Sequence, residues 1–128
     1  MGQVHIKRAY DVASNNDGYR VLVDRIWPRG VSKEKAHVNW WAKDVAPTTE
    51  LRKWYGHKEE RWEEFRARYL KELDDETHRH ALQQLRDVLR DGDLTLITAT
   101  KNVQVSAAQV LSKVLRDGTA ETEKVCPA

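Results

Sequence analysis

One stretch constrains this chain more than any other. It runs Tyr19-Arg20-Val21-Leu22-Val23 and then breaks into Asp24-Arg25-Ile26-Trp27-Pro28-Arg29-Gly30. Val21, Leu22 and Val23 form an unbroken apolar run, which suits a strand covered on both faces, as at the centre of an α/β sheet. Side chains alternate along a strand, so Leu22, Asp24 and Ile26 share one face while Val21, Val23 and Arg25 share the other. Trp27-Pro28 forces the chain out of the sheet, because proline gives a ladder no N–H and biases the residue before it away from helix. Gly30 then permits a tight bend.

Ligands of open α/β sheets gather beyond the carboxyl ends of the strands. Asp24, Arg25 and Arg29 stand at such an end. A guanidinium donates two parallel hydrogen bonds to a phosphate or carboxylate, so the corner reads as an anion site. The competing reading is structural: Asp24 pairs with a nearby cation and fixes the corner.

The chain has 128 residues, 40% of them apolar, enough for one domain that buries roughly two thirds of its unfolded surface. Lys and Arg number 22 against 20 Asp and Glu. That balance argues against binding nucleic acid through net charge, while leaving a local basic patch open. The single cysteine, Cys126, excludes an intrachain disulfide and a cysteine-based metal site. No apolar run is long enough to span a bilayer, and the polar start Met1 to Arg8 has no signal-like core, so a cytoplasmic protein without membrane partners is expected.

In chain order, Val4, Ile6, Arg8 and Tyr10 alternate with His5, Lys7 and Ala9, which predicts a first strand that is half exposed or near an edge. Asp11 to Gly18 is turn-rich and too short for a helical crossover, so the first two strands are either antiparallel neighbours or apart in the sheet. Ser32 caps a short helix over Lys33 to His37. The later part of Trp40 to Ala46 reads as a short extended segment stopped at Pro47. Thr48 or Thr49 caps a helix ended by Gly56. A longer helix is expected from Lys58 to Leu73, burying Trp62, Phe65, Tyr69 and Leu73. The next covers Thr77 to Arg90, a buried strand Asp93 to Thr100, and a last helix Val105 to Leu115. Residues 1–117 therefore read as one α/β domain with a small mixed or parallel sheet flanked by helices, and 118–128 as a loose tail.

These segments resemble a known pattern. Ile6 to Asp11, Asp17 to Gly30, Ser32-Lys33-Glu34, Trp41 to Pro47, Leu51 to His57, Trp62, Phe65, Tyr69 and Glu72-Leu73 are similar to the short, YeaO-like branch of the domain-of-unknown-function 488 family. The similarity covers roughly residues 4–116. It implies a small α/β protein with a central sheet and flanking helices, in a family with no settled activity. Some members carry a transcription-regulator label, but no helix-turn-helix signature occurs here. The chain also departs from the pattern. Ser106-Ala107-Ala108 stands where the short branch has an Asn-(His or Asn)-Ala stretch, and Thr100-Lys101-Asn102 where longer relatives have Cys-His-Arg. Thiol chemistry is therefore not implied for this chain.

The candidate site joins Arg8 and Asp11 to Asp24, Arg25 and Arg29, with Lys43, Asp44, Arg52 and His57 closing it and Lys101 and Asn102 beyond the last strand. Arg8, Arg25, Arg29, Lys43, Arg52, Lys101 and Asn102 are the candidate ligand-binding residues. If the site is catalytic, Asp24 or Asp44 is the general base, guanidinium groups steady developing negative charge, and His57 is an acid near neutral pH. His57 also reads as a turn residue after Gly56. No glycine-rich phosphate loop and no nucleophile elbow are present. No metal or cofactor is expected: His78 and His80 point about 160° apart on a helix, and a magnesium between Asp24 and Asp44 requires the fold to bring them together.

Three functions follow. The leading one is an enzyme-like protein acting on a small phosphorylated or carboxylated metabolite. The second is a nucleic-acid-binding or regulatory module, on the arginines interleaved with Trp27, Trp40 and Trp41. The third is an interaction protein without ligand, in which the charges only hold loops together.

Overall fold

The computed structural model describes residues 2–117. The predicted tail 118–128, with Cys126, lies outside the described residues. Four strands, β1 (Val4–Arg8), β2 (Tyr19–Leu22), β3 (Trp40–Trp41) and β4 (Leu94–Thr98), form one sheet in the order β1-β4-β2-β3. Every pairing is parallel, with Val4 and Tyr19 both opposite Leu94 and Val21 opposite Trp40. The first two strands are therefore not neighbours, because β4 lies between them.

The described residues form five helices: α1 (Lys33–Ala36), α2 (Thr49–Tyr55), α3 (Trp62–Glu72), α4 (Glu76–Asp91) and α5 (Ala107–Asp117). Ser32 caps α1 through the Lys35 amide, and Thr48 caps α2 through Leu51. Asp75 caps α4 through His78. Gly56 closes α2 in the left-handed conformation.

Two expectations are corrected. In Trp40–Ala46 the extended part is the beginning, where Trp40 and Trp41 add to β2, while Lys43–Val45 forms a 3₁₀ turn. The helix expected from Lys58 starts at Trp62, after a 3₁₀ turn over Glu59–Arg61.

The alternation along β2 separates two cores. Val21 and Val23 join Leu94 and Leu96 in the main core, against Leu51, Tyr55, Phe65, Tyr69, Leu85 and Leu111 from α2 to α5. Leu22 and Ile97 face the other way, under Trp27, Val38 and Trp41. The four longer helices thus pack on one face, and the chain that leaves β2 wraps the other.

Beside this frame sits a buried charge cluster with no counterpart in the sequence reading. Arg20 is 4% exposed and Asp17 6%. The Arg20 guanidinium pairs with the Asp17 carboxylate and donates to the carbonyls of Ala36 (2.9 Å) and His37 (3.1 Å). Lys7 adds a second cation to Asp17 at 3.1 Å. A charge removed from water must be neutralised and hydrogen-bonded, and here every partner is supplied by a turn or strand end nearby. Among the described residues no helix is long and apolar enough to cross a membrane.

Candidate functional site at the strand ends

All four strands run the same way, so their carboxyl ends share one rim, and the segments leaving β1, β2 and β4 meet there with α2. Between them lies a cavity of about 670 Å³, lined by Tyr10, residues 24–29, Pro47, Arg52, Tyr55, His57, Glu59, Phe65 and two stretches after β4, 99–102 and 105–107. That size suits an organic ligand.

Asp24 fastens the two central strands at this rim. Its Oδ1 accepts from Thr98 Oγ1 at 2.8 Å and its Oδ2 from the Ala99 amide at 2.7 Å. Burial pushes the carboxyl above its ordinary value; those two hydrogen bonds and the charges of His57 and Arg52 offset part of the rise. The Asp24 carbonyl accepts from Trp41 Nε1 at 2.8 Å, tying β3 to the same corner.

Arg25 leaves on the opposite face, as the alternation requires, and lies along the wall. Its Nε donates to the Pro47 carbonyl at 2.9 Å and its Nη2 to Ala46 at 3.2 Å. Arg29 is exposed at the rim, and its carbonyl accepts from Tyr10 Oη at 3.2 Å. Arg52 projects from α2, and His57 follows the Gly56 cap with φ 59°, so it is both a turn residue and a lining residue. Asn102 accepts from Gln104 N at 3.2 Å and donates to Glu59 at 3.3 Å, joining the loop after β4 to the turn before α3. Tyr55 Oη donates to the Val105 carbonyl at 2.8 Å, and its ring stacks on Phe65 at 4.2 Å. Ser106 is buried and its hydroxyl donates to Val103 at 2.7 Å.

Of the candidate residues, Asp24, Arg25, Arg29, Arg52, His57, Lys101 and Asn102 line this cavity. The lining does not include Arg8, Lys43 or Asp44. Arg8 stands behind it, with Nε donating to the Thr100 carbonyl at 3.3 Å and its guanidinium 5.1 Å from the Tyr10 ring centroid. Asp11 accepts from the Arg8 amide. Lys43 lies over the Trp41 ring at 4.1 Å, and Asp44 is exposed in the neighbouring turn. Among the described residues no three His, Cys, Asp or Glu side chains are grouped to hold a metal ion.

Sequence reasoning did not place Tyr55, Phe65 or Ser106 at the site. Tyr55 and Phe65 recur at helical spacing like any core residue, and they are core residues whose edges also face the cavity. Tyr10, Ile26 and Trp27 carry a clearer signal, since each adjoins a strand end.

The permanent cations of the lining are Arg25, Arg29, Arg52 and Lys101; its carboxyls are Asp24 and Glu59. None of Arg29, Arg52 and Lys101 enters an ion pair among the described residues. Arg52 still acts on Asp24 through its charge, whereas Arg29 and Lys101 face the cavity without a salt-bridge partner.

Comparison with known proteins places the chain. A family model described as "Inactive DUF488-N3 subclade" matches residues 3–128. Uncharacterised proteins of Mycobacterium tuberculosis and Mycobacterium bovis are each 46% identical over 113 residues, 88% of this chain and 93% of theirs. The uncharacterised protein YeaO of Escherichia coli is 40% identical over 113 residues, 88% of this chain and 96% of its own. No solved structure matches. With the family model covering nearly its whole length and these relatives aligned over most of theirs, the chain belongs to the DUF488 family, in the subclade that model describes.

Proposed function

We propose that the chain binds a small anion, a phosphate- or carboxylate-bearing compound, in the cavity at the strand ends and leaves it chemically unchanged. The observation that carries this reading is the convergence of Arg29, Arg52 and Lys101, from three separate segments, on one cavity, with none of the three in a salt bridge among the described residues. Guanidinium and ammonium groups that are outside salt bridges and outnumber the carboxylates of a cavity favour an anionic guest.

Binding without turnover is favoured over the enzyme-like role expected from the sequence for two reasons. The family model carries the description "Inactive". The groups nearest to a base or nucleophile are also engaged in the frame: both Asp24 oxygens hold the end of β4, and the Ser106 hydroxyl holds Val103. Asp44, the other candidate base, lies outside the lining.

The test is thermal unfolding of the full chain with phosphate, sulfate and small carboxylates, each against chloride at matched ionic strength. A ligand that binds only the native state raises the midpoint in proportion to its occupancy. At least one anion is expected to raise the midpoint above chloride, and the Arg52→Ala, Lys101→Ala double variant to lose that rise. No rise with any anion would sink the reading.

A further inference from the structure

We propose that the cavity selects anions carried on a flat aromatic or heteroaromatic ring, with Tyr10 as the side chain that receives the ring. This rests on the anion-binding reading above and adds the class of ligand.

A cavity of about 670 Å³ is far larger than a bare inorganic anion requires and lies within the range of organic ligands. Its surface is not uniformly polar. The large hydrophobic side chains most exposed among the described residues are Tyr10, Val12, Tyr19 and Ile26. Two of them, Tyr10 at 50% and Ile26 at 56%, line this cavity. Leaving apolar surface in water is unfavourable, and exposed apolar side chains in the lining of a cleft suit a guest that is itself partly apolar.

Tyr10 is also held still in a way that an idle surface tyrosine is not. Its hydroxyl donates to the Arg29 carbonyl, and the Arg8 guanidinium lies over its ring. Arg8 in turn is fixed to the Thr100 carbonyl. The guanidinium lies over the ring, and the ring itself lines the cavity and is half exposed. A ring immobilised at both ends stacks on a guest without losing further freedom, which is the advantage of preorganisation. Arg29, whose carbonyl anchors Tyr10, brings its own cationic side chain to the same rim, so ring and charge of one guest are met by adjoining groups.

The experiment measures dissociation constants by calorimetry on the full chain, in two series. One comprises inorganic phosphate, glycerol phosphate and phenyl phosphate; the other pairs acetate with benzoate. In whichever series binds, the aromatic member is expected to bind about tenfold tighter than its aliphatic counterpart, a gain in the range of one stacking contact. Tyr10→Ala is expected to erase that preference, so that aromatic and aliphatic members of a series bind alike. Tyr10→Phe is expected to keep most of it. Circular dichroism confirms that these exposed-site variants are folded. Equal affinity for aromatic and aliphatic members, or a preference that survives Tyr10→Ala, overturns the proposal and leaves anion binding intact. If no member of either series binds, the anion reading fails and this one fails with it.

Discussion

His78 and Arg25 share one acceptor: the Ala46 carbonyl receives His78 Nε2 at 2.8 Å and Arg25 Nη2 at 3.2 Å. A carbonyl only accepts, so Nε2 carries a hydrogen, and the other ring nitrogen lies 2.8 Å from Asp75 Oδ1. The N-terminal cap of α4 is thereby connected, through a buried imidazole, to the arginine that lines the cavity wall.

Replacing His78 with phenylalanine keeps a planar, somewhat larger ring at the site and removes both contacts. The Ala46 carbonyl then loses its shorter partner inside the protein. A loss of about 1–3 kcal/mol is expected, the range for stripping a buried polar group of its partner, read from chemical denaturation. A smaller effect in Arg25→Leu would show that the histidine is the stronger of the two supports.

Asp24→Ala leaves the Ala99 amide and the Thr98 hydroxyl without their acceptor, and a cost of about 1–3 kcal/mol is expected. Its pH dependence has a definite sign. Burial raises the Asp24 carboxyl above 3.8 in the folded state. The native protein then keeps this proton to higher pH than the unfolded chain does, so ionisation of Asp24 subtracts stability. The loss begins near 3.8 and is complete once pH has passed the folded value. Measured against Asp24→Asn, the wild-type protein should therefore lose relative stability as pH rises from 3.8 through the higher folded value. A constant difference across that window would contradict the assignment.

Asp17 has the opposite sign. Burial pushes its carboxyl up, but the Ser14 amide, the Lys7 and Arg20 hydrogen bonds and the Lys7 charge outweigh it and hold the carboxyl below 3.8. Its contribution is fully present above 3.8 and is lost as pH falls through the lower folded value. Asp17→Asn should be less stable than wild type at neutral pH, by about 3–5 kcal/mol if Arg20 stays buried without its anion. The gap should narrow on acidification below pH 3.8. Denaturation curves at neutral and acid pH decide it.

Gly18 turns the chain into β2 at φ 66°, ψ −137°, and a Cβ there would lie 2.4 Å from the Asp93 carbonyl oxygen. Gly18→Ala adds backbone strain of about 1–3 kcal/mol to that collision. A clear drop in the thermal midpoint is expected. An unchanged midpoint would mean that the turn rearranges freely.

What could be read in advance divides along physical lines. β2, β4 and the capped helices are local: an apolar run, a Ser, Thr or Asp before a periodic stretch, and a glycine after it carry their own signal. Strand order is not local. Nothing in Val4–Arg8 states that its partner is β4, whose sequence comes almost ninety residues later, as the Val4–Leu94 register records. β3 is strand only because Val21 and Leu22 offer it an edge, and two tryptophans by themselves do not say so. The same division holds at the cavity. Asp24, Arg25 and Arg29 were legible as charges beyond a strand, whereas Lys43 and Asp44 looked equivalent and are carried elsewhere by a 3₁₀ turn. Besides Asp17, the partners of Arg20 are main-chain carbonyls at Ala36 and His37, groups that every residue possesses and no sequence advertises.

The chain leaving β2 serves two surfaces at once. Trp27 walls the cavity and, with Trp41 at 5.4 Å in an edge-to-face pair, roofs Leu22 and Ile97 on the side of the sheet without long helices. Such a wall is not a hinged flap: loosening it would wet the smaller core. Occupancy of the cavity is therefore transmitted to cooperative unfolding as a whole, and a guest should slow amide exchange at Leu22 and Ile97 as well as in the loops it touches.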